Sequence, residues 1–210
     1  MKALLLKDWY MATKYFRSYL LIAAVFIGLT LFAGVNSNLF NVVYPCLLCG
    51  MIPVNLLSYD ERSGWQKYSA ALPYTKLQIV SEKYLFGLIC QLAMLAVTGI
   101  ALGINMYSNG RFEIRQYLLI MITVLLASVL SSSLSMPFVF KVGTEKGRMM
   151  YLFTIGAVCA IAVTSSVITE KIMMVDVNTD LVVPLLCILS ILLYALSWSL
   201  SYTFFKKREL

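Results

Sequence analysis

Residues 84–107, YLFGLICQLAMLAVTGIALGINMY, contain no charged side chain. A hydrocarbon core about 30 Å thick is crossed by about 20 apolar residues in a helix, so this stretch alone is long enough to span a bilayer. Working outward, charge-free apolar stretches of similar length recur at 18–35, 39–59, 116–140, 149–169 and 181–205. Hydrophobic residues make up 60% of the chain and charged residues 13%, against about 25% charged in soluble domains. Backbone in lipid is satisfied only by helices or a closed barrel. Barrel strands alternate polar and apolar over about 10 residues, and these runs are longer and apolar all round. The expected fold is an all-α integral membrane protein with six transmembrane helices, one membranous domain over residues 1–210.

The charges between the stretches set the orientation, because Lys and Arg collect on the cytoplasmic side. With both termini inside, the inner segments hold 14 of the 17 Lys and Arg, leaving Arg111, Arg115 and Lys171 outside. The inner side is then +8 and the outer side −1. This basic balance suits anionic lipid headgroups and gives no separable basic face for nucleic acid. The stretch at 18–35 follows a long basic leader containing Asp8 and exceeds the usual length of a signal-peptide core, so it reads as a retained span.

Residues 1–17 are amphipathic at helical spacing. Leu5, Trp9, Ala12 and Phe16 share one face and Lys7 and Lys14 the opposite one, the pattern of a helix lying in the membrane interface. Pro45, Gly50 and Pro53 should bend the second span, and the carbonyls they free need partners in the bundle. The inner segment 60–83 is the longest between spans. Glu61, Trp65 and Tyr68 fall at i, i+4, i+7, which predicts one face of a short helix. Leu72 and Pro73 should stop that helix, and Thr75-x-x-Gln78 is a capping box that restarts one into the third span. Ser131, Ser132, Ser133 and Ser135 in the fourth span suit close helix packing, with cavity lining second. Asn55, Gln91, Ser131 and Ser135 are the candidate path-lining residues. The segment after Gly143 lacks phosphate-loop spacing and reads as a basic turn.

Absences narrow the function. The chain has no histidine, and its five cysteines lie within the apolar stretches, where small-residue packing is the expected role of Cys46 and Cys49. No metal site, general base or nucleophile constellation is legible, so no intrinsic enzyme activity and no cofactor are expected in this chain. The apolar stretches contain no ionisable carboxylate or amine, which argues against an ion-driven carrier.

The opening Leu-Leu-Leu-Lys-Asp at 4–8 and the pattern Asp60-Glu61, Trp65, Tyr68, Leu72-Pro73, Ile79-Val80-x-x-Lys83-Tyr84 resemble the small bacterial type-2 ABC-transporter permeases. The closest subgroup holds the membrane subunits of staphylococcal phenol-soluble modulin exporters. The resemblance covers essentially the whole chain. It implies a permease dimer, homo- or heteromeric, above two copies of a soluble ABC ATPase that binds the ATP and Mg. It makes 60–72 the coupling helix: Glu61 in polar contact with the ATPase, Trp65 and Tyr68 as anchors, and Leu72-Pro73 setting the exit angle. It implies that 167–182 re-enters the outer leaflet, and it places the protein in the bacterial cytoplasmic membrane. Short outer loops favour export, and uncharged spans favour amphipathic or lipophilic cargo, peptides first. A non-transporting scaffold, immunity or assembly subunit, and a secondary carrier, are the competing readings.

Overall fold

In the computed structural model, residues 2–15, 17–32, 38–69, 73–110, 112–171 and 179–207 are described. They form α1 (Lys2–Tyr15), α2 (Arg17–Phe32), α3 (Asn38–Gly50), α4 (Ile52–Arg62), α5 (Trp65–Ser69), α6 (Lys76–Ser108), α7 (Ile114–Val142), α8 (Thr144–Lys171) and α9 (Thr179–Lys207). No strand occurs among these residues. Each of the six expected stretches overlaps helix among the described residues: α2, α3 with α4, α6, α7, α8 and α9. Among the described residues, four runs are long and apolar enough to cross a membrane: Phe40–Arg62, Lys76–Ser108, Ile114–Val142 and Val183–Lys207. α1 and α2, bent by 68°, make a fifth if taken as one span.

α7 is the central staff, packing most extensively on α8 and α9, while α3 packs on α2, α6 and α7. One core cluster joins Ala23, Val42, Cys46, Leu47, Leu56, Phe86, Leu102 and Val124. A second joins Val54, Leu57, Val80, Tyr84, Val139, Phe140, Tyr151 and Phe205. Most of the long apolar side chains of α9, such as Leu185, Ile188, Ile191 and Leu196, point outward, as expected where lipid is the solvent.

The predicted bend in the second span is a break between α3 and α4. Met51 N–H donates to the Leu48 carbonyl, 3.1 Å, so the Leu47 carbonyl loses its helical partner. The Tyr151 hydroxyl, fully buried, donates to that carbonyl at 2.6 Å. Gly50 is needed here, because a Cβ would run into the Tyr151 hydroxyl. A freed carbonyl is thus satisfied inside the bundle, as lipid requires.

α6 begins just over two turns before the apolar stretch. Thr75 caps it with a complete capping box: its Oγ1 accepts from Gln78 N–H, and Gln78 Oε1 accepts from Thr75 N–H. At about 1.5 Å per residue the 33 residues of α6 reach about 50 Å, well beyond the hydrocarbon core. Its first turns, with Lys76, Glu82 and Lys83, therefore lie outside the apolar stretch. After α7, only Gly143 turns the chain, with φ +100°, and α8 starts at once. The segment read as a basic turn is accordingly the first turns of a helix. Gly147 lets α8 lie on α7, since a Cβ there would sit 2.8 Å from Val139 Cα.

Candidate functional site

The last turn of α4 is a hub. Ser58, Asp60 and Glu61 follow one another within four positions and reach three different helices. Asp60 accepts from Lys7 of α1 at 2.7 Å and pairs with Lys83 of α6 at 2.7 Å. Glu61 accepts from both the backbone N–H and the Oγ1 of Thr144, at 3.2 and 2.5 Å, capping the N-terminus of α8. Ser58 Oγ accepts from Arg148 of α8 at 3.3 Å.

Around Asp60 lies a charged node. Lys83 Nζ donates to Asp8 Oδ2 at 2.6 Å, and Lys7 Nζ stands 3.2 Å from Asp8 Oδ1. Glu82 is further from Lys83, at 3.7 Å. The side chains of Asp8, Asp60, Glu82 and Lys83 are at most 4% exposed. Burial alone raises the Asp8 carboxyl. The Lys83 ammonium, and after it the neighbouring Glu82 and Lys7, outweigh it, and the group lies below its ordinary value. Buried charges persist only when paired, and removing one partner typically costs about 3–5 kcal/mol. The node therefore fixes α1, α4 and α6 to one another.

α5 hangs from this hub through Ser63 and Gly64. Gly64 has φ +69°, a left-handed conformation that glycine adopts without penalty. This corrects the expectation of one helix through 60–72 carrying Glu61, Trp65 and Tyr68 on one face. Glu61 ends α4 and turns inward to α8. Trp65 and Tyr68 lie on α5, their rings 5.5 Å apart. Trp65 is half-buried beneath Lys7, whose Nζ sits 4.5 Å from the ring centroid. Tyr68 is 61% exposed. Pro73 is exposed in the turn before Thr75, and Leu72 lies outside the described residues.

α1 also differs from expectation. Leu4 and Asp8, one turn apart, are its most buried residues, whereas Trp9 is exposed. Lys7 leans toward the bundle to reach Asp60, not away from it. Two carboxylates attract it more strongly than solvent does, and the apolar spacing of Leu5, Trp9 and Ala12 does not encode that attraction. The described part of 167–182 is helix belonging to α8 and α9, and 172–178 lie outside the described residues.

The four candidate path residues are all buried at helix contacts. Asn55 donates to the Tyr19 hydroxyl, 3.2 Å. Gln91 donates to the Ser128 carbonyl and Ser132 Oγ, 3.1 and 3.2 Å, beside a cavity of about 70 Å³ between α6 and α7. Ser135 Oγ donates to the Ser131 carbonyl at 2.8 Å and meets Thr154 Oγ1 at 3.1 Å. Asn55, Gln91 and Ser135 join helices to one another, whereas Ser131 Oγ is buried without a hydrogen-bond partner. Sequence reasoning missed the node entirely. Its trace was visible as Asp8 in an otherwise basic leader, and as Asp60, Glu82 and Lys83 placed at the very edges of apolar stretches.

No group of side chains that could hold a metal ion occurs among the described residues. Mechanically, the arrangement connects a short helix bearing exposed aromatics to the ends of four longer helices. Compared with known families, residues 3–206 match the one described as ABC-2 family transporter protein. Comparisons with curated proteins and with solved structures each gave no match.

Proposed function

The chain belongs to the ABC-2 transporter family, and from that premise we propose that it is the permease of an ATP-driven exporter whose force enters through α5. Membership makes it a multi-pass membrane subunit that works with a partner ATPase. The observation that carries the reading is the hub in the last turn of α4. Movement of α5 is handed directly to α1 and α6 through Asp60, and to α8 through Ser58 and Glu61. Such a linkage converts a push from below into rigid-body rocking of helices.

In this reading Trp65 and Tyr68 seat against the ATPase, and Pro73 sets how the chain leaves α5. Glu61 acts inside the permease, passing the motion to α8. Both termini and the α4–α5–α6 junction face the cytoplasm, by the distribution of Lys and Arg, and α2 and α8 complete six spans with the four apolar runs. Two permease chains sit above two ATPase copies, which bind the ATP and Mg. The subgroup of phenol-soluble modulin exporters and the bacterial cytoplasmic membrane follow from the sequence resemblance.

Amphipathic peptide is the favoured cargo. The polar side chains buried along the apolar lengths of the helices, Gln91, Thr98, Asn105 and the α7 serines, are neutral. A passage assembled from such groups accepts apolar and mixed surfaces without a fixed charge to satisfy.

The test is reconstitution of the full chain with its ATPase in vesicles, following a fluorescent amphipathic helical peptide. ATP-dependent movement is expected. A W65A/Y68A double variant should lose most of it while the protein keeps its thermal transition. Equal flux without ATP, or no flux at all, overturns the reading.

A further inference from the structure

If every group of the node is ionised, the two ammonium groups of Lys7 and Lys83 face three carboxylates, Asp8, Asp60 and Glu82, and a net negative charge is left on carboxylates that are almost without water, while Lys7 is 22% exposed. The geometry marks the odd carboxyl. Asp8 and Asp60 each touch both lysines, within 3.2 Å. Glu82 has only Lys83, 3.7 Å away, and it is 1% exposed.

Hydrogen bonding leaves room for one more proton between Glu82 and Asp8. Within the node, two buried oxygens have no hydrogen-bond donor, Asp8 Oδ1 and Glu82 Oε1. A carboxylic acid donates one bond that a carboxylate cannot. One proton on Glu82, given to Asp8, supplies the missing donor and brings the node to neutrality. Unpaired buried charge is otherwise relieved by taking up a proton.

We infer that Glu82 holds a proton in the docked state, and that its loss releases α1 from α4 and α6. The groups facing Glu82 are Lys7 and Asp8 from α1, Asp60 from α4 and its neighbour Lys83 on α6. The sign follows from linkage. The docked node binds a proton that a solvated glutamate has already lost, so docking is complete at mildly acidic pH, where Asp8 is still ionised. It weakens as pH rises. Because Lys7 also lies over the Trp65 ring, release of α1 removes the cation behind α5. The proton thus governs the segment to which the ATPase is assigned, but the node itself is independent of cargo and of that assignment.

The chain carries its own reporters. Trp9 lies on α1, Trp65 lies under Lys7, and Trp198 donates to Ser81 Oγ at 3.0 Å. Full-length protein labelled with 5-fluorotryptophan in lipid nanodiscs would be followed by fluorine NMR from about pH 5 to about pH 10, a range that brackets a buried carboxyl. The Trp9 and Trp65 resonances should move together through one transition as pH rises. Glu82→Gln, which is neutral and still donates, should keep the low-pH spectrum throughout. Asp8→Asn should lose the transition as well, because the four remaining charges balance without a proton. An immobile Trp65 resonance in the unsubstituted protein, or the same transition surviving in either variant, overturns the inference.

Discussion

At the junction of α1, α4 and α6, three buried carboxyls meet the buried ammonium of Lys83 and the partly exposed one of Lys7. Along α7, Ser132, Ser133 and Ser135 meet neighbouring helices without any charge. Their hydroxyls return to their own helix, to the carbonyls of Ser128, Leu130 and Ser131. Across the seam run bonds such as Ser197 Oγ to the Ser133 carbonyl, and Tyr84 OH to Ser197 and Ser201. The node is a few strong, mutually dependent contacts. The seam is many weak ones that allow close approach. A node holds all of its partners or none, so it suits the transfer of a push. A seam of small residues lets helices change their relative positions at low cost, so it suits the element that must move.

Several substitutions break or sharpen that contrast. The largest effect should come from Lys83→Met, which leaves Asp8 and Asp60 to share Lys7 alone. A loss of about 3–5 kcal/mol is expected, read by denaturant titration in micelles, and Asp8→Asn in the same chain should recover part of it. No second substitution along the seam should rescue the first in that way. Next comes overpacking: Gly147→Leu forces α8 off Val139 and should cost about 1–3 kcal/mol. Gly28→Leu, with nothing within 4 Å of its Cβ position, should leave the melting temperature unchanged. Gly64→Ala places a side chain in the left-handed region and should cost about 1–2 kcal/mol, with a larger loss of ATP-driven flux than of stability. Smallest is Ser135→Ala, at about 0.6 kcal/mol by the same titration. A loss above about 2 kcal/mol there would mean that the seam is as brittle as the node, since single interhelical bonds in membranes reach only about 1.7.

The helices and their ends were largely legible in the sequence. Charge-free length located α3–α4, α6, α7 and α9, proline and glycine located the break near Met51, and Thr75-x-x-Gln78 located the start of α6. These are local signals with a fixed period or cap. The relation of Glu61 to Trp65 was misread because the i, i+4, i+7 pattern takes helix continuity for granted, whereas Gly64 turns out of it. The node was illegible because its bonded members stand as many as 75 positions apart, Asp8 from Lys83. In sequence each is only a charge beside an apolar run. Pairing across helices leaves no spacing to read.

In the proposed coupling, the ATPase grips the molecule at α5. A photo-crosslinking amino acid at position 68, in the full chain expressed in its own cells, tests this most directly. The account predicts a crosslinked product that mass spectrometry identifies as a nucleotide-hydrolysing ATPase subunit, with the same residue placed at exposed Phe32 giving none. Failure to capture an ATPase from position 68, while an impermeant reagent applied to intact cells labels that position, would contradict it.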